Sequence, residues 1–407
     1  MSQTPASAVC AAGFPVYLHG YSAIDAYLRR PSSAAVQVLC GADLADLARL
    51  FDGLRYPGVF FADAALGCGE KTWYFRCEEP VDIQNRRASF GFLEFYQDCE
   101  THRYYDPNGI YPHLRNLRDG EKHGAAARWP QAAAAAKRSA RRALFDEAMI
   151  IARYFPDTGI REINAAAAEY TGAAAESGEH AGSPPPPAEE QRRLLTGLLE
   201  AENPSGGFEL LKRSGFIAAY WQELAALDDV DHSKEFHPEG NVWKHTMEAL
   251  RYRKPSGGRQ PSGGRQAAGG FDLRLSLGLL LHDAGKPLSE SAGSHRFYGH
   301  AEHGERLARR FLERLGFESA LIHDVCYLVR NHMLPAALPR LPLFRTEEIM
   351  TSPLFPALLE LYRCDESSSF KGLDGYYRSS AAYRAFLKHR HNPYRSASGK
   401  KLKQGQI

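Results

Sequence analysis

A histidine–aspartate pair at the end of an apolar run restricts the possible folds more than any other part of this sequence. The run is LLLHDAGKP, residues 279–287, and the pair is His282 and Asp283. Burying a carboxylate among apolar side chains is costly unless a metal ion or an ion partner compensates its charge. Neighbouring side chains on a helix diverge by about 100°, so both groups can hold one ion only where the helix ends. Gly285 and Pro287 end helices and predict such a turn.

Further histidine and aspartate residues lie at apolar positions of predicted helices. They are His245, His300, His332 and Asp365. Val242 and Ala249, for example, flank His245 at helical spacing, so that its imidazole emerges from the stripe that faces the core. A single histidine on such a face is more often a hydrogen-bonded core residue, and the prediction therefore depends on the whole set.

Six convergent imidazole and carboxylate groups predict a site for a divalent metal. Such donors suit Zn, Mn, Fe, Co or Ni, and with more oxygen ligands they suit Mg. The sequence leaves both the metal and the number of ions, one or two, open. Lys286 directly follows the predicted turn and is placed to meet an anionic group beside the metal. We therefore regard Asp283 and Lys286 as candidate catalytic residues.

Composition sets wide limits on function. The 407 residues suffice for two or three domains, and the net charge of +2 neither demands nor excludes a nucleic-acid partner. Seven scattered cysteines without a CxxC pair fit a reducing cytoplasm. We expect no secretion signal, membrane span or membrane partner, because no apolar run has the required form or length. The oligomeric state stays open.

The pattern along the chain predicts an α+β protein with a small N-terminal sheet followed by helical regions. Short β-branched and aromatic runs predict strands at Pro15–Leu18, Ala35–Leu39, Val59–Phe61, Thr72–Arg76 and Ser89–Tyr96, with a helix at Asp43–Phe51. The predicted domains are 1–120, a helical neck at 121–230 with a disordered loop at about 172–188, a metal-binding domain at 231–390 with a flexible insertion at about 254–270, and a basic tail at 391–407.

The metal-binding pattern resembles that of the HD-superfamily phosphohydrolases. The order His, His-Asp, Asp with the LLHDAGK-like core is the signature of that family. The resemblance implies one ion held by His245, His282, Asp283 and Asp365, and a second held by His300 and His332 with Asp283 bridging. It also implies that two such ions, about 3.5–4 Å apart, activate a water that attacks phosphorus.

A second resemblance links the chain to bacterial tRNA nucleotidyltransferases, the CCA-adding enzymes and their poly(A)-polymerase relatives. HPEGNVWKHT (237–246) and the segment 207–230 before it look like the junction between neck and tail in that family. The segments 15–31 and 98–109 look like the opening and the end of its catalytic head. The resemblance implies a nucleotidyltransferase-like head, and tRNA as a partner.

The head departs from the family at the residues that carry its chemistry. Nucleotidyl transfer needs two carboxylates to hold Mg ions over the triphosphate. The positions that match the family's Asp-x-Asp are Ala34 and Val36. This departure predicts a degenerate nucleotide site and loss of nucleotidyl transfer.

Three hypotheses follow. The first, which we favour on the sequence, is a cytoplasmic HD phosphohydrolase that acts on a phosphoester of a nucleotide or an RNA 3′ end. The second is a functional tRNA nucleotidyltransferase in which the HD domain is accessory. The third is an RNA-binding or scaffold protein with a structural metal. The basic run Lys137, Arg138, Arg141 and Arg142 suits RNA phosphates, but a solvated helix face explains it too.

Overall fold

The structure is a computed structural model, and its described residues fall into two compact units. The described residues are 4–30, 35–57, 62–69, 71–83, 94–107, 110–111, 114–115, 140–155, 158–177, 184–231, 240–255, 271–289, 297–342, 345–369 and 372–390. The first unit comprises residues 1–148, 158–183 and 255–270, and the second comprises residues 149–157, 184–254 and 271–407. Within the described ranges, no helix combines the length and the apolar composition needed to cross a membrane.

A six-stranded mixed sheet forms the centre of the first unit. Its strands are β1 (Val16–His19), β2 (Ala35–Cys40), β3 (Ala64–Cys68), β4 (Lys71–Cys77), β5 (Tyr96–Asp98) and β6 (Tyr104–Tyr105). The order across the sheet is β3-β4-β2-β1-β5-β6, and β2 with β4 is the parallel pair. This arrangement confirms the predicted α+β class with a small mixed sheet.

Strand β2 lies inside the sheet, and each of its faces contributes to a hydrophobic cluster. Val36 and Val38 are 3% and 2% exposed and belong to one hydrophobic cluster, to which Phe75 of β4 also contributes. Leu39, on the opposite face, packs in a second cluster with Tyr96. A strand buried on both sides reads as a nearly continuous apolar run, as this sequence does.

The helices of the first unit lie before, between and after these strands along the chain. They are α1 (Pro5–Ala11), α2 (Tyr21–Leu28), α3 (Leu44–Leu50), α4 (Ala140–Tyr154, which runs on into the second unit) and α5 (Ile160–Ser177). Helix α3 begins at a capping box in which Asp43 and Asp46 satisfy each other's backbone amides. Helix α5 continues to Ser177, so the first residues of the loop predicted at about 172–188 are helical.

The predicted strands and helix of this unit have mixed outcomes. Strands β1, β2 and β4 and helix α3 lie where the sequence predicts them. The prediction at Val59–Phe61 falls outside the described residues, and of Ser89–Tyr96 only the last residues are described. Strands β3 and β6 were missed, because β3 contains two small residues and a glycine and β6 is two residues long.

The regular elements in the described residues of the second unit are helices, and an isolated β-bridge joins Asp231 to Asn241. Its α-helices are α6 (Ala188–Leu199), α7 (Ser205–Arg213), α8 (Phe216–Tyr220), α9 (Gln222–Ala225), α10 (Val242–Arg251), α11 (Leu273–Leu281), α12 (His300–Arg314), α13 (Ser319–Asn331), α14 (Leu334–Ala337), α15 (Glu347–Thr351), α16 (Phe355–Ser367) and α17 (Asp374–Arg390). This region confirms the predicted all-helical character. The insertion predicted at about 254–270 and the tail at 391–407 fall almost wholly outside the described residues.

Helix α11 occupies the core of the second unit. Every residue from Leu275 to Leu281 is buried, so this helix has no solvent-facing side along that stretch. Gly278 lets its neighbours approach closely, since a Cβ there would lie 3.0 Å from Leu328 and 3.2 Å from Leu361. Helix α11 packs between α13 and α16. His332 lies at the end of α13, and Asp365 lies on α16.

The buried side chain of Arg253 hydrogen-bonds to the ends of three helices, α6, α10 and α11. Arg253 is 5% exposed, and its guanidinium donates to the carbonyls of Leu199, Ala201 and Leu250 and to the hydroxyl of Ser276, at 2.6–2.7 Å. These acceptors lie at the ends of α6 and α10 and in the first turn of α11. The arginine therefore fixes the helices that carry part of the candidate site.

Candidate metal centre

The six side chains singled out in the sequence lie together in the second unit. His245 lies on α10, His300 is the first residue of α12, and Asp365 lies on the last turns of α16. His282 and His332 cap the C-terminal ends of α11 and α13, and Asp283 follows in the turn. The helix does end at the His-Asp pair, as the sequence predicts. All except Asp365 are less than 9% exposed.

The six residues form two groups of three ligand atoms. In the first group, Nε2 of His245 lies 2.9 Å from Oδ1 of Asp365. Nε2 of His282 lies 3.8 Å from the same oxygen and is buried with no hydrogen-bond partner. An orphaned, buried nitrogen beside a carboxylate is the arrangement that a cation would complete.

The second group consists of His300, His332 and Asp283, and the two imidazoles face the Oδ1 atom of Asp283. His300 and His332 place their Nε2 atoms 3.0 Å apart, and these atoms lie 3.7 and 3.8 Å from Oδ1 of Asp283. Within each group the three potential ligand atoms lie within 4.8 Å of one another. Oδ2 of Asp283 lies 3.3 Å from Nε2 of His282, so this carboxylate connects the two groups.

Hydrogen bonds at the opposite ring nitrogens orient the imidazoles. In His282, His300 and His332, Nδ1 lies 2.7–2.8 Å from the carbonyl oxygen three residues earlier in the chain. A carbonyl can only accept, so each Nδ1 carries the hydrogen. In the neutral ring the lone pair then belongs to Nε2 and points into the centre, as in protein metal sites.

Burial keeps the second pair of imidazoles neutral. It lowers the pKa of His300 and, to about 4, that of His332. In both neutral rings Nδ1 carries the hydrogen, so each Nε2 has only a lone pair. These two Nε2 atoms lie 3.0 Å apart. Such a contact is repulsive unless a cation lies between the rings and Asp283, so the donor set fits a divalent ion.

The carboxylates stay charged at neutral pH. Burial raises the pKa of Asp283, but the neighbouring His282 and the ammonium of Lys286 outweigh it and hold the pKa well below its usual value. Burial likewise raises the pKa of Asp365, but the nearby His245 outweighs burial and lowers it. Nζ of Lys286 lies 2.6 Å from Oδ2 of Asp283 and stacks over Phe297 at 5.4 Å. The catalytic role of Lys286 stays a prediction.

Gly285 has a function that the sequence pattern did not reveal. Its φ is −85°, so the turn does not use the conformational freedom of glycine. A Cβ on Gly285 would instead lie 2.0 Å from the carbonyl oxygen of His300 and 2.5 Å from the amide of Gly304. The absent side chain lets the turn after His282 pack directly on the backbone of α12, and this contact places His300.

Comparison with known proteins connects this chain to two kinds of protein. Residues 241–355 match the family model of the HD domain. The CC-adding tRNA nucleotidyltransferase of Thermus thermophilus is 33% identical over 143 residues, which cover 34% of this chain and 30% of that protein. The multifunctional CCA protein of Halorhodospira halophila is 33% identical over 140 residues, with coverage of 34% and 30%. The chain thus matches about a third of the length of these curated relatives.

The solved structures to which this chain is similar include CCA-adding enzymes. A CCA-adding enzyme in complex with ATP has a TM-score of 0.42 at 12% identity, with coverage of 94% of this chain and 81% of that chain. The Thermotoga maritima CCA-adding enzyme in complex with tRNA has a TM-score of 0.39 at 14% identity, with coverage of 99% and 86%.

The comparisons contradict the first functional hypothesis. The curated relatives are named a CC-adding tRNA nucleotidyltransferase and a multifunctional CCA protein, and neither name refers to phosphoester hydrolysis. The interpretation of the chain as a phosphohydrolase that has lost nucleotidyl transfer was therefore wrong. The reason is physical: a ligand set of histidines and aspartates identifies a metal centre, but the same centre can serve an accessory domain as well as an active site.

Proposed function

We propose that this chain acts on the 3′ end of tRNA as a nucleotidyltransferase of the CCA-adding type, with the HD domain as an accessory metal-binding part. The observation that carries the proposal is the sequence similarity to the CC-adding tRNA nucleotidyltransferase and the multifunctional CCA protein. A mixed-sheet unit with a separate helical unit is consistent with a catalytic head and an accessory domain. Nucleotide and tRNA are the proposed substrates.

We propose further that the six residues of the candidate centre hold one or two divalent ions. The support is the convergence of four imidazole nitrogens and two carboxylates, with His282 Nε2 buried and unpaired. Four nitrogen donors favour Zn, Mn, Fe, Co or Ni over Mg, which prefers oxygen ligands. Asp283, which faces both groups, is the residue that would bridge two ions.

Nucleotide addition requires head carboxylates other than those of the family pattern. Val36 packs in the apolar cluster of the sheet, and Ala34 lies outside the described residues. Among the described residues of the predicted head at 1–120, the buried carboxylates are Asp25 and Glu94, at 3% and 4% exposure. Glu94 precedes Phe95, whose carbonyl accepts the amide of Gly20 at the start of α2, and Asp25 lies on that helix. We propose these two carboxylates as the first to test.

The decisive experiment is incorporation of labelled CTP and ATP into tRNA that lacks its 3′-terminal nucleotides, with Mg or Mn present. The proposal expects incorporation by the full chain, and a decrease of about tenfold or more in Asp25→Asn or Glu94→Gln if either carboxylate supports the reaction. A His282→Ala and Asp283→Ala double variant should retain addition, because it removes only the accessory centre. Circular dichroism of each variant verifies that it is folded.

Other outcomes of the same assay would refute different parts of the proposal. Tight binding of the shortened tRNA without incorporation would refute nucleotide addition and leave an RNA-binding protein. Absence of both binding and incorporation would overturn the assignment to tRNA altogether. Loss of addition in the double variant, with tRNA binding intact, would contradict the accessory role of the HD domain.

The metal centre is tested separately by metal analysis of the purified protein and by titration with Zn, Mn and Ni. The expected stoichiometry is one or two ions per chain in the wild type and none in the double variant. A wild-type protein that stays metal-free at saturating ion, while its fold is intact, would refute the ligand set without affecting the tRNA assay.

A further inference from the structure

Three consecutive serines end helix α16 next to a metal-centre residue. The hydroxyls of Ser367, Ser368 and Ser369 each donate to a backbone carbonyl three or four residues earlier, at 2.7, 2.7 and 3.0 Å. Among these three, Ser368 also contacts a histidine, since its Oγ lies 3.2 Å from Nδ1 of His245. Ser368 is 7% exposed, so this contact is shielded from water.

A count of hydrogens fixes the direction of the Ser368 contact. A serine hydroxyl has one hydrogen to donate and two lone pairs. That hydrogen goes to the carbonyl of Asp365 at 2.7 Å. The Ser368 oxygen therefore accepts from His245, so Nδ1 carries the hydrogen and Nε2 faces the Asp365 carboxylate at 2.9 Å.

His245 differs from the other histidines of the centre in the group that orients it. His282, His300 and His332 donate from Nδ1 to backbone carbonyls, which no substitution removes. His245 donates to a side chain instead. Because Ser368 also donates to the backbone carbonyl of Asp365, one hydroxyl contacts two residues of the same group.

We propose that Ser368 is a positioning residue that fixes the tautomer and ring orientation of His245 for metal binding. The proposal deepens the metal centre proposed above and rests on it. Groups that hydrogen-bond the far nitrogen of a ligating histidine typically change metal affinity 10–100-fold when they are removed. Loss of the Ser368 hydroxyl should have an effect of this size on the ion held by His245, His282 and Asp365.

The test compares hydroxyl and methyl groups at constant volume. Ser368→Thr retains the hydroxyl and Ser368→Val replaces it by a methyl group, while Ser368→Ala removes it without adding bulk. Ser369→Ala is the matched control, because it removes an equivalent serine–carbonyl bond that does not involve a histidine. Thermal melting of each variant shows whether it folds, and if Val does not fold, Ala against Thr makes the same comparison.

Two readouts decide the proposal. In metal-free protein, ¹⁵N NMR should show a protonated Nδ1 on His245 in the wild type, Ser368→Thr and Ser369→Ala. In Ser368→Val and Ser368→Ala the proton should move to Nε2, which then donates to Asp365. Titration with Zn should show about 10–100-fold weaker binding in the same two variants and a change below about twofold in Ser369→Ala.

The failure of this proposal and that of the metal centre are distinguishable. A Ser368→Ala protein with a protonated Nδ1 and a Zn affinity like that of Ser369→Ala would overturn the positioning role. A wild type that binds no metal would refute the centre, and with it the positioning of a metal ligand, whatever the NMR shows.

Discussion

Replacement of Arg253 by methionine should destabilise the helical unit far more than replacement of a nearby exposed arginine. Arg253 makes four hydrogen bonds of 2.6–2.7 Å and stacks over Phe271 at 4.5 Å. Methionine fills much of the same volume but can donate to none of the four acceptors. The carbonyls at the ends of α6 and α10 would then be left buried without this partner.

The expected magnitude follows from two opposing terms. Hydrogen bonds from a charged donor contribute about 1.5–3 kcal/mol each, so four of them contribute roughly 6 kcal/mol or more. Burial of the guanidinium opposes this, because it lowers the pKa of Arg253 from 12.5 to about 10, equivalent to roughly 3 kcal/mol. The net loss of stability in Arg253→Met should be about 3–5 kcal/mol. Arg253→Lys should lose less, since an ammonium retains the charge but cannot reach all the acceptors.

Urea denaturation followed by circular dichroism measures this difference. The control is Arg251→Met, because Arg251 is half exposed and pairs with Glu248 at 3.1 Å. An exposed pair of that kind contributes less than about 1 kcal/mol. Equal stabilities for the Arg253 and Arg251 variants would refute the reasoning that the buried guanidinium holds the helix ends together.

Three further predictions concern the metal centre and the first unit. In a protein that binds two ions, Asp283→Asn should abolish binding of both and His300→Ala of one; equal stoichiometry in the two variants by metal analysis would then contradict the bridging role. Gly285→Ala should lower stability and reduce occupancy of the His300 ion, because a Cβ meets the α12 backbone; an unchanged melting temperature and stoichiometry would refute this. Burial raises the pKa of Glu147 to about 8 from 4.5, so its contribution to stability is complete below pH 4.5 and is lost as pH rises through 8. Glu147→Gln should therefore gain roughly 5 kcal/mol over the wild type across that range in urea denaturation, whereas parallel stability curves would contradict the shift.

The helices and strands were predicted correctly where an element has a clear pattern of apolar residues in its own sequence. Helices such as α10 and α12 follow from apolar residues at spacings of three and four, and β2 and β4 follow from β-branched and aromatic runs. Strand β3 is rich in small residues and β6 is only two residues long, so both lack that signal. Strand order and the parallel pairing of β2 with β4 depend on contacts between residues distant in the chain, which periodicity does not encode.

The function of the whole chain shows the limit of an argument from motifs. The resemblance to the nucleotidyltransferases assigned Ala34 and Val36 to the positions of the expected head carboxylates, and from this the sequence predicted a hydrolase without nucleotidyl transfer. The similarity to CC- and CCA-adding proteins contradicts that conclusion. A motif identifies which side chains can do chemistry at a site, whereas the use that a protein makes of the site is not contained in the motif.

The sequence by itself predicted which side chains meet in the helical unit, from histidines and aspartates on apolar helix faces, which are costly to bury without a common partner, and from the resemblance to the HD-family pattern. Only the tertiary structure decided how they divide into two groups about Asp283, and which atoms orient them. The contacts of Ser368 with His245, of Gly285 with α12 and of Arg253 with three helix ends join residues that are distant in the chain. Such contacts depend on how helices cross in space, and a periodic pattern along one helix carries no information about that crossing.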